Sequence, residues 1–202
     1  MNKTFSKSWV IILAVIYCFI NFPDIKAQDI PDKYIIEYEY FEKQGENKST
    51  FKLFRYGSKI KVWKKVKDSH NADVITTMYV YKDEGKSYLI TESNGQKIGS
   101  KHNGAECSFI GMSWGIYILD LSDCDFFLQN ATMAGSENIL GKDCTDYNAM
   151  QSGNARTDYF VYKNNLTLKM TSPNTTIHAT SYNDNPVFLP DEFSVPADVT
   201  YY

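Results

Sequence analysis

From Lys33 the chain alternates. In "YIIEYEYF", Ile36, Tyr38 and Tyr40 fall on one side and Ile35, Glu37 and Glu39 on the other. A period of two with one apolar side predicts a half-buried antiparallel strand. "STFKLFRY" and "KIKVWKK" continue the pattern, with Ile60 and Val62 out of phase with Lys59 and Lys61, and Gly57-Ser58 between them predicts a tight hairpin. Trp63, out of phase with Val62, is expected to face outward. "DVITTMYVYK", "KSYLITES" and "QKIGS" follow, separated by the turn signals Asp83-Glu84-Gly85 and Asn94-Gly95. The first half of the chain therefore reads as a meander, with Tyr38, Tyr40 and Met78 as core or cavity wall.

The period changes after Ser108. Tyr117, Leu121, Cys124 and Leu128 fall at i, i+4, i+7 and i+11, and Ser122 with Asp125 three residues on can open a second helical turn. One or two short helices are predicted in an insert at about 108–133. After "AGSENILGKD", read as a connection, strands resume in "CTDYNAM", "ARTDYFVYK", "LTLKM" and "TTIHATSY", closed by "NPVFLPDEFSVPADV". The expected fold is mainly β (α+β), nine or ten antiparallel strands around one helical insert.

Before the first strand, Lys3 and Lys7 precede the apolar run "WVIILAVIYCFI", and "DIKAQ" offers small-residue cleavage near Ala27. This is the form of a secretory signal peptide over 1–27, leaving one domain over 28–202 in the periplasm or outside the cell. The run is too short for a spanning helix and no other anchor follows it. Tyr17 before Cys18 is too bulky for a lipid-attachment box. Loss of Lys3, Lys7 and Lys26 against Asp24 takes the formal charge from −3 to about −5. A mildly acidic chain without a basic stripe argues against a nucleic-acid partner.

Cys107, Cys124 and Cys144 remain in the mature chain, an odd number for an oxidising compartment. Cys107 and Cys124 bracket the helical segment and are the favoured disulfide, although spacing alone does not fix the pairing; Cys144 would be a buried thiol in a strand. His102, Glu106 and Cys107 lie close together but lack metal-ligand spacing, so no metal or cofactor is expected. "GMSWG" fits the nucleophile-elbow pattern, with Ser113 as nucleophile and His178 downstream. An elbow works over a parallel sheet of alternating strands and helices, and this chain lacks that alternation. A serine hydrolase is therefore the minor reading, and a non-enzymatic protein the main one.

"FKLFRYGSKIKVW" with "ITTMYVYKDEGKSYLI" is similar to the early hairpins of the LolA/LolB-like periplasmic carriers, and "ILGKDCTDYNAM", "DYFVYKNNLTLKM" and "TTIHATSYNDNPVFLPDEFSVPADV" resemble their ending. The resemblance covers most of the mature chain and extends to related uncharacterised periplasmic families. It implies a curved antiparallel sheet forming a half-closed β-barrel, with helices plugging its concave face around an apolar cavity. It also implies a hydrophobic, lipid-like ligand, a partner in the periplasm or at the outer membrane, and a lid-holding role for Arg55. The turn reads Arg55-Tyr56-Gly57 where the carriers have Arg-Pro, and the mature chain enters a strand where they begin with an amphipathic helix. Pockets are lined mainly by apolar and aromatic groups, which makes Tyr38, Tyr40, Val62, Met78, Met112, Trp114, Ile118 and Leu121 candidate ligand contacts beside Arg55. The alternative is a β-rich binding module for carbohydrate or protein, with Tyr79, Tyr81, Tyr159 and Tyr162 forming an exposed patch.

Overall fold

A computed structural model describes residues 31–42, 47–67, 75–83, 86–103, 131–150, 156–163 and 166–202. All its strands belong to one sheet. Six successive strands form the first half: β1 (Lys33–Glu42), β2 (Asn47–Tyr56), β3 (Lys59–Lys67), β4 (Ile75–Asp83), β5 (Lys86–Ser93) and β6 (Gln96–Asn103). The second half contributes β7 (Thr132–Ile139), β8 (Lys142–Met150), β9 (Arg156–Tyr162), β10 (Leu166–Thr171), β11 (Thr175–Asn183) and the short β12 (Thr200–Tyr201). The order across the sheet is β12-β6-β5-β4-β3-β2-β1-β11-β10-β9-β8-β7. Pairing is antiparallel throughout except between β12 and β6.

The alternation read from the sequence sets the two faces. Tyr34, Ile36 and Tyr38 of β1 are buried while their neighbours are half-buried or exposed. The register carries that phase sideways: Ile36 is opposite Leu53, Leu53 opposite Val62, Val62 opposite Val80 and Val80 opposite Leu89. Trp63 falls in the other phase, as expected. The buried residues of β1–β3 and those of β8–β11 join in a single core cluster, so the sheet curls around one apolar side. Its outermost strands, β12 and β7, do not pair with each other. The result is the expected open, curved half-barrel.

Tyr38 marks how the two halves are locked. Its partner across β11 is the small Ala179, which leaves room for the ring to lean over that strand. The hydroxyl then donates to the Thr167 carbonyl on β10, at 2.9 Å. Paired registers on β10 and β11 run only from Lys169 to Thr171, and a bulge disturbs β10 beside Thr167. A backbone carbonyl beyond the paired registers of β10 and β11 thereby accepts from a side chain.

Several expectations change or fall elsewhere. No helix occurs among the described residues. The insert predicted at about 108–133 lies outside them up to residue 130, together with the proposed plug, and from Thr132 the chain is already β7. "AGSENILGKD" is not a connection but most of β7, a two-residue turn and the start of β8. β7 escapes a sequence reading because it is exposed along nearly its whole length and carries no apolar alternation. The signal peptide and the Cys107–Cys124 pair also lie outside the described residues. Cys144 is a free, buried thiol, as expected.

The last residues run behind the sheet as a strap. Lys61, on the outer side of β3, donates to both the carboxylate and the carbonyl oxygen of Glu192, at 2.6 and 3.1 Å. Lys97 holds Asp198 at 2.8 Å. Val199 then closes over Gly99 and Ile90, and β12 adds to the far edge. A β-carbon on Gly99 would lie 2.8 Å from the Leu89 carbonyl and 3.0 Å from Val199, so this crossing needs glycine. Ile90 is fully buried although it sits on the outer side.

Candidate functional site

The inner side of the curl is sealed core over most of its extent, with half-buried side chains at its margin. Of the residues expected to line a site, Tyr38 and Val62 are core, 1% and 5% exposed. Tyr38 stacks on Phe51 with ring centres 4.9 Å apart. Tyr40 shares their phase but is half-buried, packed against the core along with Leu89, Tyr147 and Ala149. Arg55 is opposite Tyr34 and Ile60, and its Nε donates to the Gly57 carbonyl at 3.0 Å, which ties it to its own hairpin turn. The backbone of Met78 pairs with Lys64. Met112, Trp114, Ile118, Leu121 and Ser113 lie outside the described residues. The sheet in which Ser113 would act is antiparallel, not the parallel sheet over which an elbow projects its serine.

The inner face also holds charge that the sequence reading did not single out. Lys64 is opposite Phe51, in phase with Ile60 and Val62. Its ammonium lies over the Tyr40 ring, 5.0 Å from the centre. No carboxylate is within salt-bridge distance of it among the described residues. Burial holds the Lys64 ammonium below the usual lysine range, and the charge of Glu42, at the end of β1, partly offsets this. Ser49 is opposite Tyr40, and its hydroxyl is buried without a hydrogen-bond partner among the described residues. The signal was present in "KIKVWKK": Lys64 is the lysine that falls in the apolar phase.

A second concavity of about 440 Å³ lies outside this face, where the strap meets the β2–β3 turn. Tyr56, Phe188, Phe193, Pro186, Lys33 and Lys59 line it. Phe188 and Phe193 meet edge to face at 5.0 Å, and Tyr56 completes the aromatic cluster. Tyr56, Val187 and Leu189 are exposed beside it. The patch expected from Tyr159 and Tyr162 is not formed: Tyr159 is buried, and Tyr162 packs edge to face on Tyr182. The side chains of Tyr79 and Tyr81 lie outside the described residues. His178 pairs with Glu39 across the β1–β11 ladder at 3.4 Å, as a partly exposed strand histidine would.

The fold and this face define an open β half-barrel with an apolar inner side. No family model and no curated protein matches the chain. Among solved structures, an uncharacterized conserved protein from Thermus thermophilus is similar with a TM-score of 0.55 at 7% identity, over 89% of this chain and 96% of that one. That likeness shows a shared fold. PNGF-II gives 0.49 at 10% identity over 84% of this chain, and MucB 0.43 at 12% identity over 92%. The chain spans 31% of the length of PNGF-II and 64% of that of MucB. The open, curved sheet expected from the sequence is thus a fold that at least one solved structure shares. No helix among the described residues is long and apolar enough to cross a membrane.

Proposed function

We propose that the protein is an exported, non-enzymatic binding protein that holds a hydrophobic, lipid-like ligand against the inner side of its half-barrel. The carrying observation is the curl itself. One apolar side runs continuously through both halves of the sheet, the outer edges stay apart, and Tyr40, Leu89, Tyr147 and Ala149 remain partly open on the core's margin. Burial of an acyl chain there contributes roughly 0.8 kcal/mol per methylene. The proposal extends to Met112, Trp114, Ile118 and Leu121 as further ligand contacts, and to release in the periplasm or at the outer membrane. Native mass spectrometry of protein purified without detergent, followed by lipid extraction, tests it. Bound acyl species that disappear in Trp114→Glu support the carrier. A clean apo mass with no uptake of added lipid overturns it.

The groove at the strap favours a second reading, a binding module for carbohydrate or protein. Aromatic rings flanked by Lys33 and Lys59 suit stacking against an acidic sugar or peptide. Loss of partner binding in Tyr56→Ala, with lipid absent, would select it.

A further inference from the structure

The inner face changes character at one end, where β1 and β3 finish and β2 begins. Resting on the reading of this face as a lipid site, we propose that this end is a headgroup subsite for the oxyanion of a single-chain lipid. In it the Lys64 ammonium is the counter-charge, and the hydroxyls of Ser49 and Tyr40 are hydrogen-bond donors.

Three observations meet here. Lys64 stands in the apolar phase, its ammonium faces an aromatic ring, and that ring supplies no lone pair for the three N–H donors. A cation left in this way is poorly solvated, and a bound carboxylate or phosphate restores what burial removed. Ser49 is the second: its buried hydroxyl has no partner among the described residues, which is costly unless something else accepts or donates to it. The third is placement. Tyr40 is directly opposite Ser49, Phe51 is two residues on and directly opposite Lys64, and diagonal neighbours on one face of a sheet lie about 7–8 Å apart. From that diagonal position the lysine already reaches the Tyr40 ring, so the three groups share one end of the face.

Glu42 shares the phase of Tyr40 and acts on Lys64 through space, without salt-bridge contact. Its charge helps keep the lysine protonated, and it repels an incoming anion. On the same face Leu89 of β5 and Tyr147 of β8 are half-buried on either side of β1–β3 and offer the chain apolar contact.

Fluorescence titration of the purified protein with cis-parinaric acid and with its methyl ester tests the subsite. The two probes share one chain and differ in the negative charge. The acid is expected to bind about tenfold tighter than the ester, a difference of about 1.4 kcal/mol. Lys64→Gln should bring the two to parity by weakening the acid alone, Lys64→Arg should keep the preference, and Glu42→Gln should increase it. Equal affinities in the unsubstituted protein, or a preference that survives in Lys64→Gln, overturn the subsite and leave the lipid reading standing. Failure of both probes to bind overturns the lipid reading and the subsite with it. Inorganic phosphate in excess should not displace the acid; displacement would make this a site for small free anions and overturn the lipid headgroup.

Discussion

Tyr38 shows how much one side chain does in this sheet. It was legible as an inward residue from its alternation with Glu37 and Glu39. Its bond to Thr167 was not, because it depends on a small residue at 179 and a bulge in β10, neither of which leaves a periodic trace. Tyr38→Phe keeps the ring and removes the bond to the Thr167 carbonyl, so it should cost about 0.5–1.5 kcal/mol in chemical denaturation. Cys144 was legible for a simpler reason, since a thiol in a strand is usually a small hydrophobe. Burial first, then the carboxylates of Glu137 and Asp143, pushes it from 9.0 up to about 11. A thiol reagent at neutral pH should label it far more slowly in the native protein than in denaturant. The unfolded chain releases this proton first, so the contribution of Cys144 to stability is complete below about pH 9 and is lost as pH rises towards about 11. Lys64 was overlooked because the four lysines in "KIKVWKK" look alike until the register separates them.

At the scale of the element, turns decide what could be read. Asn94-Gly95 announces a two-residue hairpin, and the structure gives φ of 51° and 76°. Leu140-Gly141 adopts the same geometry, 52° and 75°, with a residue that does not advertise it. The hairpin of β7 and β8 was hidden for that reason as well as for its exposure. A left-handed backbone at a leucine costs about 1–2 kcal/mol that asparagine largely avoids. Leu140→Asn should therefore raise the melting midpoint, with a gain of about 1 kcal/mol by denaturation. Gly99→Ala should act in the opposite sense. Its β-carbon would press on the Leu89 carbonyl, which is backbone and cannot swing aside, so a loss of about 1–3 kcal/mol is expected. Amide exchange at Thr200 and Tyr201 should rise with it, since the strap rests on that glycine.

For the whole molecule, the architecture was more legible than the site. Alternation predicted a meander in the first half and further antiparallel strands after a helical insert, nine or ten in all, where the described residues form twelve; the curl follows once both halves bury the same side. β12 escaped because two residues carry no period, and its parallel pairing depends on where the strap crosses. The candidate contacts divided for a physical reason: alternation identifies which residues face inward, not which of them are sealed. Tyr38 and Val62 proved to be core, while Tyr40 kept accessible surface.

The strand order also sets a timetable. β1 lies at the centre and pairs on one side with β2, which follows at once, and on the other with β11, so that Ile35 meets Asn183. As the chain emerges, six strands can assemble in succession while the open edge of β1 waits for a partner far along the sequence. Contacts this distant slow folding, and an unpaired central edge invites association with other chains in the interval. A protein built this way closes its core only when β11 arrives, so the chain stays pliable until that strand has been made.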